Sequence, residues 1–419
     1  MNLLMVGNGA YPDETGGAHV YVYDLARHLV RLGHSVTVLV PKARPDLQQT
    51  EVLQGVTYVR YQHAARRDPV RWRWALARGA RNAFSSLAAS TSFDVIHGHW
   101  PHPAAAVIGH PAAEPAVKVY TLHAPFYEEE RVEASLMRRG RRLRPRDLVK
   151  AAWVPLSLYE KRHRERSVLR QCGTVFVLSR FMQQRACACF GTPEQGLRVI
   201  PGGVDTTRFH PVEESARQEI RASLNIHTRT AMLLTVRRLV PRMGLPNLIL
   251  ALELVRRVEP RVLLCIGGAG PLEPQLGALV EQLSLQRHVR LLGFIPPERL
   301  ADWYRAADFF VLPSEFLEGF GLATIEAMAC GTPALGTPVG GTAEILDGLD
   351  SGLLFEGTAP EHIADGIIEH LSERRDSLRD DVARYVREKY SWEIVSRRIE
   401  AVLLEAVAGR ELRCGACRR

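Results

Sequence analysis

Pro313–Pro338 reads PSEFLEGFGLATIEAMACGTPALGTP. It follows an apolar run with strand character, Phe309–Leu312, and opens on a turn at Pro313 and Ser314. Two glutamates, Glu318 and Glu326, stand eight residues apart about a Gly-Phe-Gly, and the chain turns again at Gly331, Thr332 and Pro333. A strand that ends in a glycine turn and opens a helix is a ready anion site. The first helical N–H groups lack internal partners and point outward. Gly319 and Gly321 have no Cβ, so a phosphate has room to approach the backbone. Glu318 is expected in the loop just before that helix, and Glu326, about two turns later, on or near the same face. Phosphate held by N–H groups and hydroxyls held by carboxylates is what a sugar nucleotide requires.

The rest of the chain supplies a frame for that pocket. Its 419 residues predict two domains, each long enough for its own core. At 46% apolar and 24% charged, the composition is that of an ordinary globular protein. No apolar run approaches the ~20 residues of a membrane helix. The start, MNLLMV, reads as a first strand and not as a signal peptide. Seven cysteines without a framework spacing predict a reducing, cytoplasmic setting. Cys414 and Cys417 form one C-x-x-C in a basic tail, but a zinc site needs a second pair, and Cys187/Cys189 has the wrong spacing. A net charge of +8 suits anionic substrates, an anionic membrane surface or nucleic acid.

In chain order, Asn2–Val6 reads as a buried strand, with Gly16-Gly17 before an amphipathic helix that stops at Gly33. This is not the strict G-x-G-x-x-G spacing, and a loop that merely turns the chain fits as well. Further strands are predicted at 35–40, 56–61, 93–97, 117–121 and 174–177, with a helix at 71–89. Ser179 is a predicted N-cap. Strands alternating with helices imply a parallel sheet covered on both faces. Ligands of such sheets sit at the carboxyl ends of the strands, where Gly16, His99 and His123 fall. The segment from about 126 to 171 breaks the rhythm. Arg131, Arg138, Arg139, Arg141, Arg142, Arg144, Arg146 and Lys150 precede an apolar run, and Lys161, Arg162, Arg164, Arg166 and Arg170 follow it. It reads as a solvated helical insertion, or, with Trp153, Leu156, Leu158 and Tyr159 interleaved, as a contact for an acidic acceptor or membrane headgroups. No nucleic-acid motif accompanies it.

A linker is expected near 204–211, and a second alternating set follows. Strands are predicted at 231–235, 262–266, 289–292 and 309–312, helices at 245–258 and 297–307, and a short helix after Gly340-Gly341. Gly352–Phe355 reads as a last short strand, and two helices follow, the second over 392–407. The fold class is therefore α/β, with two Rossmann-like, doubly wound parallel-sheet domains. The default ligand site is a cleft between them.

The ordered motifs resemble the GT-B glycosyltransferases, specifically the retaining enzymes of family 4, over nearly the whole chain. They are Gly16-Gly17, the linker from Val199 to Phe209, the segment from Thr235 to Gly244, and Glu318 to Glu326 with its sequel to Pro333. Tyr390-Ser391-Trp392 is similar to the family's start of a terminal helix that crosses back to the first domain. The resemblance implies an acceptor-side domain over 1–205, a nucleotide-sugar domain over 206–388, that helix over 389–408 and a basic tail over 409–419. It implies Glu318 near the donor sugar, with the N–H groups of Gly319, Phe320, Gly321 and Leu322 beside it. Glu326 is implied as the ribose ligand, Arg238 as the diphosphate arginine, His123 near the reacting centre, and Gly16 and Gly17 facing the diphosphate and acceptor. The chain departs from the family pattern twice. The usual glycine before the arginine is Arg237, and the usual lysine is Met243, which cannot neutralise a diphosphate. Arg242 or Arg237 is the expected substitute.

The activity implied is transfer of a sugar from a nucleoside diphosphate sugar, with UDP as leading base, to an acceptor hydroxyl, with retention. No metal or cofactor is expected, since no D-x-D pair is present and the arginines replace the cation. The expected partners are the donor and a sugar, lipid-linked or small-molecule acceptor, with peripheral contact to an anionic membrane through the basic segment and no nucleic acid. Rival readings are a sugar-nucleotide epimerase of the same architecture, a non-catalytic nucleotide-sugar-binding subunit, and a metal-dependent hydrolase built on His97-x-His99-x-x-His102.

Overall fold

The structure is a computed structural model that describes residues 1–63, 69–138, 145–373 and 378–416, with side chains for all of these except 69–71, 134, 136–138, 145–153 and 411–416. Two compact units result. The first comprises Met1–Glu130, Leu143–Gly203 and Trp392–Arg419, and the second Arg131–Arg142 and Val204–Ser391.

The first unit begins with β1 (Asn2–Val6), α1 (Gly17–Arg31) and β2 (Ser35–Pro41). β3 (Thr50–Leu53), β4 (Val56–Tyr61), α2 (Pro69–Ala88), β5 (Val95–Gly98), α3 (Pro101–Ile108) and β6 (Val117–Leu122) follow. Next come α4 (Phe126–Arg138), which passes into the 131–142 segment, α5 (Pro145–Gln171), β7 (Thr174–Val177), α6 (Arg180–Phe190) and β8 (Leu197–Val199). The strands join in the order β3-β4-β2-β1-β5-β6-β7-β8. Strands covered on both faces read as continuous apolar runs, and Leu3 to Val6 of β1 are fully buried. Ser179 does cap α6, its Oγ accepting from Met182 N at 3.1 Å.

The second unit holds α7 (Glu214–Ser223), β9 (Ala231–Val236), α8 (Leu245–Val258), β10 (Val262–Gly267), α9 (Glu273–Gln282) and β11 (Val289–Gly293). It continues through α10 (Pro297–Ala306), β12 (Phe309–Leu312), α11 (Leu322–Ala329), β13 (Ala334–Gly336), α12 (Gly341–Asp347), α13 (Pro360–Glu373) and α14 (Leu378–Tyr390). Its sheet is parallel throughout, ordered β11-β10-β9-β12-β13. Two buried arginines of α7 anchor the start of β12. Arg217 Nη2 lies 2.6 Å from Asp308 Oδ1, and Arg221 Nη1 3.3 Å from Oδ2, which also accepts from Met232 N at 2.7 Å.

The last helix, α15 (Trp392–Ala416), counts with the first unit. Its Trp392 is fully buried, edge-on to Tyr21 at 5.1 Å and stacked on His28 at 5.9 Å. A Cβ on Gly203 would come within 2.4 Å of the indole, so that turn needs glycine for close approach.

Several expectations change. β3 pairs antiparallel to β4, so the first sheet is parallel except at one edge. β3, α3, α7, α9 and β13 have no counterpart in the sequence reading; each is short. Gly352–Phe355 is not a strand. Asp350 Oδ1 accepts from Gly352 N at 2.9 Å and turns the chain into a 3-10 turn, leaving only the single bridge of Leu354 to Gly336. Three helices follow it, not two, and the last extends into the predicted tail. No helix among the described residues is long and apolar enough to cross a membrane.

Candidate active site

Each sheet reverses its direction of growth once, between β1 and β5 in the first unit and between β9 and β12 in the second. At such switch points the loops leaving adjacent strands part and leave a crevice at their carboxyl ends. The predicted residues gather at both places.

In the second unit, Arg237 directly follows β9, and Ser314 to Gly321 connect β12 to α11. Gly244 (φ 67°) lets the two regions close together, since its Cβ would lie 1.8 Å from the Pro313 carbonyl oxygen. The Arg237 side chain is 7% exposed. Its Nη2 donates to Glu318 Oε2 at 2.6 Å and to Ser314 Oγ at 2.9 Å, and Ser314 Oγ in turn donates to the same carboxylate oxygen at 3.1 Å. Burial pulls the guanidinium pKa down, and the Glu318 charge opposes that pull.

Arg242 has a different task. It is buried, its Nη1 donates to the Leu317 carbonyl at 2.9 Å, and its own carbonyl accepts from Glu315 N and Phe316 N at 3.0 and 3.3 Å. Leu317 has φ 49°, a left-handed backbone that costs a non-glycine residue roughly 1–3 kcal/mol. Arg242 therefore braces a strained loop. Met243 is packed in the core. Arg238 is the exposed member of the set, with 57% of its side chain accessible and Nη2 3.8 Å from Glu133 Oε1.

α11 starts at Gly321, whose φ of 99° only glycine adopts readily and whose Cβ would clash with Thr342 Oγ1 at 2.2 Å. No side chain caps this start. Phe320 is buried, its carbonyl accepting from Thr342 Oγ1 at 3.3 Å. Glu318 lies in the loop before the helix, as expected, and Glu326 about one turn into it. They have separate partners. Glu326 Oε2 accepts from the buried Tyr304 hydroxyl at 2.8 Å, and Glu318 pairs with Arg237.

In the first unit, Gly16 is the exposed N-cap of α1, followed by exposed Gly17. His19, in the first turn, reaches Asn8 Oδ1 at 3.2 Å. Behind them stands a stack of imidazoles. His97 Nε2 is 2.7 Å from Thr121 Oγ1, and His99 Nδ1 is 3.3 Å from His123 Nε2. Tyr21 meets the His123 ring edge-on at 4.9 Å. Burial drives the pKa of both His97 and His123 down to about 3, so these rings are neutral at physiological pH. The hydrolase reading finds no ligand set among the described residues. His97 turns to Thr121, His99 to His123, and His102 to Glu160 at 3.6 Å. No group of three or more metal-ligating side chains occurs among the described residues.

His19 and Tyr304 were missed by the sequence reading. His19 follows Gly17 by two residues, a signal that was available. Tyr304 is 22 residues from Glu326, and no local pattern joins them. Of the basic segment, residues 139–144 lie outside the described residues, and Arg138, Arg146 and Lys150 have no described side chains. Lys161 is not solvated: it is buried, ion-paired with Glu130 and 4.8 Å over the Phe126 ring. Cys417 lies outside the described residues, and the Cys414 side chain is not described.

The family description "Glycosyl transferases group 1" matches residues 216–389, and "Glycosyltransferase Family 4" matches residues 15–208. An uncharacterized glycosyltransferase of Methanocaldococcus jannaschii is 29% identical over 95% of this chain and 96% of its own length. A D-inositol 3-phosphate glycosyltransferase of Corynebacterium jeikeium is 39% identical over 47% of this chain and 49% of its own. Among solved structures, a sucrose-phosphate synthase from Thermosynechococcus elongatus superposes with a TM-score of 0.77 at 21% identity, covering 97% of this chain and 99% of that one.

Proposed function

The chain belongs to the group 1 and family 4 glycosyltransferases of GT-B fold, and from that premise we propose that it moves a sugar from a nucleoside diphosphate sugar, UDP-linked in the leading reading, to an acceptor hydroxyl with retention and without a metal. The observation that supports this most is the Arg237–Glu318–Ser314 group at the second sheet's switch point, on the loop that runs into the uncapped start of α11. In the reaction, the bond from the anomeric carbon to the diphosphate oxygen breaks and a bond to the acceptor oxygen forms on the same face. The departing phosphate takes the acceptor proton. Negative charge grows on the leaving oxygen, where Arg238 and the N–H groups of Gly319 to Leu322 stabilise it. Glu326, oriented by Tyr304, binds the ribose hydroxyls, and Glu318 reads the sugar. Gly16 and Gly17 face the diphosphate and acceptor. His123, neutral by burial, offers the sugar a hydrogen bond and not a charge.

Thermal-shift screening against UDP-, GDP- and ADP-sugars tests the donor, because a ligand that binds only the native state raises Tm. Arg238→Ala and Glu326→Ala are each expected to depress transfer, and near-normal transfer in both removes the site assignment. Donor turnover without acceptor identifies an epimerase, and donor binding without transfer to any acceptor a binding subunit.

Membrane contact is part of the same proposal. It is supported by three exposed apolar side chains on α2 and α5: Trp74, Leu156 and Tyr159. Arg73 Nη1 joins the two helices through Ser157 Oγ at 3.2 Å, and the Arg164 guanidinium lies 5.7 Å over the Trp74 ring. Such aromatic and basic groups suit a lipid headgroup layer. Sedimentation with anionic but not zwitterionic vesicles, lost in Trp74→Ser/Tyr159→Ser, is the expected result.

A further inference from the structure

We propose that Arg237, and not Arg242, supplies the second fixed positive charge for the donor's diphosphate, in the role a lysine would fill at Met243. This rests on the donor-site reading above and names the residue that completes it.

Three observations separate the candidates. Met243 is uncharged and 7% exposed, its side chain in the core. Arg242 spends its fork on the Leu317 carbonyl and pairs through Nε with Glu133 at 3.3 Å, and its backbone carbonyl receives two loop N–H groups. It holds the loop in shape, and turning it toward a ligand would release Leu317 from its left-handed conformation. Arg237 is built otherwise. Its side chain is more than nine-tenths buried, yet Nε, sealed from solvent, has no hydrogen-bond partner among the described residues. Nη1 has only a long contact, 3.5 Å to the Met243 carbonyl. Nη2 alone is well satisfied, by Glu318 and Ser314. A guanidinium presents five donors in a rigid fork that matches phosphate oxygens. A buried, permanently charged fork with an orphaned N–H, at the strand-end crevice of its sheet, calls for an anionic acceptor.

The position also has a consequence for the sugar. Among the described residues both hydrogen bonds to the Glu318 carboxylate fall on Oε2, leaving Oε1 for a hydroxyl. One guanidinium thus spans the phosphate side and the acid that reads the sugar. Diphosphate binding and sugar recognition are coupled through it.

The test uses the full chain and calorimetric titration with UDP, GDP and ADP and with the matching nucleosides. For whichever diphosphate the wild type binds, Arg237→Gln is expected to weaken binding about ten- to hundredfold, the worth of a charge-assisted pair, with nucleoside affinity unchanged within about twofold. Unchanged diphosphate affinity in Arg237→Gln overturns the proposal and leaves Arg237 as a brace for Glu318 alone. If the glutamine variant does not fold, Arg237→Met, which keeps a long side chain without the charge, decides. A loss confined to the diphosphate supports the role, and an equal loss for diphosphate and nucleoside overturns it. Wild-type protein that binds none of the three diphosphates overturns the donor-site reading itself.

Discussion

The two units use the same architecture and opposite chemistry. Both sheets place their candidate residues at the carboxyl ends of strands where the order reverses. In the second unit that place holds permanent charge: Arg237, Arg238 and Arg242, set against Glu318 and the uncapped start of α11. In the first unit it holds imidazoles that burial keeps neutral, with a tyrosine and two glycines. A diphosphate needs fixed cations and free N–H groups. A sugar ring or an acceptor hydroxyl needs neutral donors and acceptors that do not attract a competing anion. The division of labour in the proposed reaction is thus written in the charge state of each crevice.

The contrast extends to what holds each unit together. The largest expected effects come from removing one anchor from each. Asp308→Ala leaves the buried Arg221 without its carboxylate and Arg217 with Glu214 alone, and a loss of about 3–5 kcal/mol is expected by chemical denaturation. Trp392→Ala empties the site beside Tyr21 and His28 and is expected to cost about 3–5 kcal/mol, but through a cavity and not through charge.

Next in size is the site chemistry. Arg238→Ala is expected to lower transfer about 10²–10³-fold and to weaken nucleoside diphosphate binding. His123→Ala is expected to lower transfer while leaving that binding within about twofold. Equal losses of binding in both variants would erase the distinction between a charged and a neutral crevice.

Acid titration separates the units differently. His97 and His123 have native pKa values near 3, below the unfolded value of about 6.5. The unfolded chain therefore binds protons that the native state refuses. The stability contributed is complete above pH 6.5 and is lost as pH falls from 6.5 toward 3. Unfolding free energy measured across that window should slope upward with pH, and His97→Gln should flatten the slope by about one proton. The smallest effect is expected at Tyr304→Phe. Loss of its hydrogen bond to Glu326 should cost about 0.5–1.5 kcal/mol in donor binding, with reduced discrimination against deoxyribose nucleotides.

Much of this was legible in the chain itself. Continuous apolar runs and glycine stops located β1, β7, β12 and α8 to the residue, because strands buried on both faces and strongly periodic helices leave unmistakable patterns. The segment from Glu318 to Glu326 marked one candidate group, and Gly16, Gly17 and His123 another, through glycines and polar residues at strand ends. Tertiary structure decided the rest, since each remaining feature joins residues distant in sequence. The strand order that creates the crevices is a matter of which runs pair. The edge pairing of β3 depends on β4 alone. The choice among Arg237, Arg242 and Met243, three residues within one short segment, depended on which side chain the fold buries as apolar, which it ties to a strained carbonyl at Leu317, and which it buries charged with an N–H left over. Burial and partnership are properties of the packed chain, and no local pattern encodes them.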